Sequence, residues 1–227
     1  MPEMLTQTTD FNHADAVIDS TFHREWEELT RVLKKLPLHL KASDQAGIQG
    51  SPIFDPVGTN EHIRDNLCKI PGWRHTIPIP PEYDFLGTDV DLGKGGVLVE
   101  VQFSNYPFLL NNTVRAELFY KAKTPLTGKP IELAIIVTKA KMFPASNSTL
   151  YYEQAKKQLT ALARNSVFDV PIRLVGLFER ESGIIPVQFT KYSARRYSRS
   201  VVKREKMQCT MTPGRSDRSR CTLRLLD

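Results

Sequence analysis

The stretch 84–105, DFLGTDVDLGKGGVLVEVQFSN, most constrains the fold, because it is read most simply as a β-hairpin. Val97, Val99, Val101 and Phe103 alternate with Leu98, Glu100, Gln102 and Ser104, the period-two signature of a strand. The Gly95-Gly96 pair supplies the two positive-φ positions of a tight turn. A first strand is expected over Phe85–Asp91, and pairing through the turn sets Asp91 opposite Glu100. Glu100 and Gln102 then share one face while Val99, Val101 and Phe103 enter the core on the other. Carboxylates held close repel unless a cation lies between them, so the pattern points to an oxygen-lined site for a hard divalent ion such as Mg²⁺. A solvated sheet face would carry the same residues with no ligand, and spacing alone leaves both readings open.

The remaining chain reads as alternating helices and strands. Phe22, Trp26, Leu29, Leu33 and Leu36 recur at helical spacing up to Pro37. Residues 38–58 hold Gly, Pro, Ser and Asp without periodicity, so ASDQAGIQGSPIFDPVG reads as a loop, after which Thr59 is placed to cap a short helix to Leu67. The Pro-rich IPIPPEY leads into the hairpin. A helix is expected over 107–121, a buried strand over 131–138, a helix over 150–165 and a second buried strand over 172–178. These alternations predict an α/β fold, a mixed central sheet flanked by helices, in a single domain spanning 1–227. No P-loop, GxGxxG motif, zinc spacing or internal repeat is present.

Three cysteines, Cys68, Cys209 and Cys221, are odd in number and lack metal-ligand spacing, which fits small apolar roles in a reducing compartment. No apolar run is long enough to span a membrane and no leader is apparent, so the expectation is a cytoplasmic protein. Charge is concentrated at one end. Eleven Lys/Arg against Glu205, Asp217 and Asp227 give residues 191–227 a net +8, within a total of +6 for the chain. The basic extension from about 191 could lie along phosphate or be a solvated terminus, and the alternation of Cys209, Met211, Cys221, Leu223 and Leu225 hints at a terminal hairpin.

Asp91, then Glu100-Val-Gln102-Phe-Ser104-Asn105, with SNYPFLLNN and FPASNSTLYYEQ further on, resembles the BglII/BstYI-like branch of PD-(D/E)xK restriction endonucleases over roughly 84–159. Gln102 stands where most of that superfamily has Lys, and the Glu-x-Gln form marks this branch. The resemblance implies a type II site-specific deoxyribonuclease that works as a homodimer on a short palindromic site in double-stranded DNA, with a central GATC favoured and a cognate DNA methyltransferase as genetic partner. It implies that Asp91, Glu100 and the Val101 carbonyl hold Mg²⁺, and that Gln102 positions the attacking water. A neutral amide cannot accept a proton at pH 7, so the base lies elsewhere. Asp89 and Asp84 are alternative ligands, and His75 is a candidate for a further polar group that some members carry upstream. Ser104, Asn105, Asn147 and Ser148 are implied to contact bases, although all four are also ordinary helix-capping types. The helix over 107–121 carries more apolar surface than one stripe, and the family uses that region for dimer contacts. A repair or junction nuclease of the same fold, or an inactive DNA-binding protein, are the competing readings.

Overall fold

In the computed structural model the described residues are 4–140, 150–178, 183–193, 200–212, 214 and 221–226. In chain order they form β1 (Leu5–Phe11), α1 (Ala14–Val17), a π-helical turn (Ile18–Phe22), α2 (His23–Lys34), β2 (Leu38–Ala42), β3 (Pro52–Phe54) and α3 (Pro56–Leu67). Then come β4 (Arg74–Pro78), a 3₁₀ helix (Pro81–Leu86), β5 (Asp89–Lys94), β6 (Val97–Val101), α4 (Pro107–Lys121), β7 (Leu133–Lys139) and α5 (Tyr152–Arg164). The chain ends with β8 (Ile172–Phe178), β9 (Gly183–Tyr192), β10 (Val201–Thr212) and β11 (Thr222–Leu226).

A six-stranded mixed sheet runs β1-β8-β7-β6-β5-β4, with β6, β7 and β8 parallel and the outer pairings antiparallel. Its central strands are buried on both faces, which explains their near-continuous apolar sequences. Leu133, Ile135 and Val137 of β7 enter the largest core beside Val97, Val99 and Val101, whereas Ala134 and Ile136 pack on the opposite side with Leu109 of α4 and Leu159 of α5. A second, five-stranded sheet, β11-β10-β9-β2-β3, closes the first core with Leu38, Leu40, Ile185, Val187, Cys209 and Met211. The expected α/β fold is therefore present, with a second sheet added to it.

The hairpin has the register counted from the sequence. Lys94 pairs Val97 and Leu92 pairs Val99, and the turn glycines have φ of 58° and 105°. At Gly96 a Cβ would also fall 2.9 Å from Pro130 O, so only glycine fits. Lys94 reaches the buried carboxylate of Glu28 on α2 at 2.6 Å, and Trp73 Nε1 donates to the same group at 2.8 Å, which pins the hairpin tip to the core.

Several boundaries differ from expectation. The first hairpin strand is Asp89–Lys94, not 85–91, because Pro81 starts a 3₁₀ helix that leaves Phe85 73% exposed. The stretch 38–58, expected to lack regular structure, holds both β2 and β3, which pair with each other, and β2 in turn pairs β9 in parallel. The cap of α3 is Asp55, whose Oδ1 accepts from Val57 N at 3.2 Å, while Thr59 Oγ1 donates back to Asp55 O from inside the helix. The terminal hairpin is present as β10 against β11, with Cys209, Met211 and Leu223 buried in the main core. Among the described residues no helix is long and apolar enough to cross a membrane, and all three cysteines are free thiols.

Candidate active site

The cleft that receives the catalytic candidates has a volume of about 490 Å³ and is lined by Asp89, Asp91, Glu100, Val101, Gln102, Phe103, Ser104 and, from helices, Asn60, Asn112 and Arg115. Its floor is the β5–β6 hairpin. Past the last paired residues the strands hold together through Asp91 Oδ2, which accepts from Val101 N at 2.8 Å. Asp91 thus lies beside Glu100, as the turn count requires. Gln102 continues β6 by donating its backbone N–H to Val137 O at 2.8 Å, and Phe103 buries its ring against Phe54 with centroids 5.0 Å apart.

Glu100 is only 6% exposed, and its carboxylate accepts from Arg115 Nη2. Arg115 also donates to Asp89 O at 3.0 Å and to Asn112 Oδ1 at 3.3 Å. The guanidinium lowers the Glu100 pKa, but burial outweighs it and Asp91 adds to the rise, so the carboxyl is pushed up to about 8. Asp91 also titrates above the usual carboxylate range, again because of burial, with the Val101 N–H and Arg115 opposing the shift. Two desolvated carboxylates that resist ionising together are suited to a divalent cation. The donors at hand, two carboxylates, an amide oxygen and a main-chain carbonyl, are all oxygen, the set a hard ion selects. Among the described residues no third His, Cys, Asp or Glu completes a cluster.

Gln102 is held at both ends of its amide. Its Oε1 accepts from Asn112 Nδ2 at 3.2 Å, and its Nε2 donates to Ser104 Oγ. Ser104 and Asn105 are exposed where β6 leaves the sheet. Asn105 O accepts from Phe108 N at 3.2 Å at the start of α4, and Tyr106, at the N-cap position, makes no side-chain capping bond. Asn147 and Ser148 lie outside the described residues. Asp89 lines the cleft and accepts from Thr88 Oγ1 at 2.8 Å, whereas Asp84 is exposed on the 3₁₀ helix and His75 is exposed on β4, both away from the cleft lining. Between the pairs His75–Leu92 and Ile77–Val90, Thr76 sits across from Asp91 with φ of 49°, a local distortion of β4. Arg115 and Asn112 were not singled out by the sequence. Their spacing of three places both on one face of a largely apolar helix, which is the signal that could have found them.

A mixed sheet whose β5–β6 hairpin, inside the edge strand β4, brings two acids to an open cleft fits the restriction-endonuclease fold. The chain superimposes with a TM-score of 0.92 on a crystal structure of restriction endonuclease BglII complexed with a DNA 16-mer, at 52% identity over 98% of this chain and 100% of that one. Against free BglII the TM-score is 0.75, at 48% identity and the same coverage. The family model for restriction endonucleases BglII/BglIII matches residues 6–177. The type II restriction enzyme BglII of Bacillus subtilis is 53% identical over 224 residues, 97% of this chain and 99% of its own. The chain belongs to the BglII/BglIII family of type II restriction endonucleases.

Proposed function

We propose that the chain is a Mg²⁺-dependent type II restriction endonuclease that hydrolyses a phosphodiester in each strand of a short palindromic DNA site, leaving 5′-phosphate ends. The observation that carries this reading is the pair of half-buried Asp91 and buried Glu100 beside the Gln102 amide. Two acids raised together in pKa cost stability and need a reason to be there.

Asp91, Glu100 and the Val101 carbonyl are the groups to hold Mg²⁺, which when bound polarises a phosphate oxygen and lowers the pKa of the attacking water. Asp91 is oriented by the Val101 N–H and Glu100 by Arg115. Gln102 orients the water through the amide proton left over from its bond to Ser104, and as a neutral amide it does not take the proton. Ser104 and Asn105, with Asn147 and Ser148, are the base-contacting residues, and a GATC-centred target is the family expectation. The match to BglII bound to DNA supports duplex DNA as substrate.

A palindrome is matched by a two-fold pair of subunits, so the working form is a homodimer. Tyr106, Leu110 and Val114 form an exposed apolar stripe at four-residue spacing on α4, the surface offered for that contact. An enzyme of this kind acts in the cytoplasm beside a methyltransferase of the same specificity.

The test is digestion of a phage genome with and without Mg²⁺, with sequencing of the fragment ends. Glu100→Ala and Asp91→Asn should each lower cleavage by about 10³-fold or more while gel-shift affinity is kept, because several kcal/mol of transition-state stabilisation is lost and anionic repulsion of phosphate is reduced. Asp89→Asn should be mild. Full cleavage by Glu100→Ala would end the assignment.

A further inference from the structure

Lys139, the last residue of β7, is 0% exposed, and no part of it reaches the cleft surface. Its Nζ donates to Phe103 O at 3.2 Å and to Leu150 O at 2.6 Å, and lies 4.3 Å from the Tyr151 ring centroid. Leu150 N donates in turn to Ser104 O at 3.1 Å. These contacts gather where the β6–β7 ladder stops, since the last ladder-like bond is Gln102 N to Val137 O. From Phe103 onward the backbone is steered by the ammonium and by Leu150.

An apolar residue would fill this volume without the desolvation cost of an ammonium. What Lys supplies and Leu or Met does not is a set of three donors that fixes two carbonyls at once. One of those carbonyls belongs to the residue immediately before Ser104 and Asn105. A rotation of that peptide would swing both side chains relative to the catalytic strand.

We propose that Lys139 is a positioning residue for sequence readout: it holds the Phe103 and Leu150 carbonyls so that Ser104 and Asn105 present their side chains at a fixed angle to Gln102. The inference rests on reading Ser104 and Asn105 as base contacts. The ammonium acts through them and touches no DNA itself.

The test uses the full chain on a duplex carrying the mapped target and on duplexes with one base pair changed, with kcat and KM measured for each. Lys139→Met should lower the ratio of target to altered-site kcat/KM by about fivefold or more, within the range one base contact supplies. The loss should fall on kcat more than on KM. Tyr151→Leu, which keeps the lysine but removes the ring face beneath it, should lower the ratio by a smaller factor. Asn105→Ala is the companion variant. If Asn105→Ala lowers the ratio while folded Lys139→Met leaves it unchanged, Lys139 only staples the core and the proposal is overturned. Should Lys139→Met fail to fold, an unchanged ratio for Tyr151→Leu overturns it. An unchanged ratio for Asn105→Ala removes the readout reading, and the proposal with it.

Discussion

Asn112 donates through Nδ2 to Gln102 Oε1 at 3.2 Å, so the amide that follows β6 takes its orientation from helix α4. The same Asn112 accepts from Arg115, and Arg115 holds Glu100. One helical turn therefore orients two of the three candidate residues, Glu100 and Gln102. The other face of that turn carries the exposed Leu110 and Val114, so whatever packs on α4 bears on the geometry of the cleft.

Asn112→Ala should expose the consequence of losing that orientation. Gln102 would keep its bond to Ser104 and become free to rotate about it, at a cost near 1 kcal/mol, or about fivefold in the cleavage rate. Single-turnover cleavage beside a gel shift separates rate from binding. An unchanged rate would mean that Asn112 does not aim Gln102.

Glu100 makes stability depend on pH. Its folded pKa of about 8 lies above the ordinary glutamate value of 4.5, so between those values the unfolded chain releases a proton that the folded chain keeps. The group therefore weakens the fold progressively as pH rises from about 4.5 to 8, by up to a few kcal/mol, and not below that window. Glu100→Gln removes this dependence. In EDTA, the unfolding free energy of the variant minus that of the wild type should increase from pH 5 to pH 8, whatever constant cost the amide imposes. Mg²⁺ at pH 8 should then favour the wild type by mass action. Urea melts at the two pH values check it, and a difference that stays flat would contradict the burial argument.

The basic C-terminal stretch is tied into the fold at several points. Arg204 is paired with Glu61 and Lys203 with Glu205, and Cys209, Met211 and Leu223 are core residues. Arg195, Arg196, Arg199, Arg215, Arg218 and Arg220 lie outside the described residues. Truncation after residue 199 should accordingly abolish the cooperative unfolding transition and not merely weaken DNA binding. A soluble truncated protein with an unchanged melting temperature would show that β10 and β11 are dispensable. Lys206 is exposed, so Lys206→Ala should leave stability within about 0.5 kcal/mol. If it lies against phosphate, the salt slope of binding should fall by about 0.9.

The hairpin was legible because two consecutive glycines leave only one register, and counting from Lys94–Val97 brings Asp91 to Glu100. Helix α4 was legible to its last residue, since Pro107 suits a first helical turn. β1 was not, because LTQTTDF alternates mostly polar types and becomes a strand by pairing β8, more than 160 positions away. The short β2 likewise owes its state to β9, a partner that no local pattern announces, and β3 in turn pairs β2. Phe85 misled for the opposite reason, as an aromatic residue expected in a strand that lies exposed on a 3₁₀ helix. Arg115 and Lys139 carry no local sequence signal of their burial. Their burial depends on Glu100 in one case and on main-chain carbonyls in the other, neither of which residue type alone reveals.

The last expectation concerns assembly. Val114 of α4 is 53% exposed and Tyr106 at its N-cap is 47% exposed, while the inner face of the helix is committed to the core and the cleft, so a second subunit is the partner that would cover them. The dimer should have twice the 25.8 kDa of the chain, roughly 52 kDa. Val114→Asp places a charge in that contact and should yield monomers, at little cost to the fold because the site faces solvent in the single chain. A monomer holds one cleft, so plasmid should be nicked slowly and seldom linearised. Light scattering and the ratio of nicked to linear plasmid read the two effects. A Val114→Asp protein that still scatters as a dimer would move the interface away from α4, and a wild type that remains monomeric with and without DNA would end the homodimer reading.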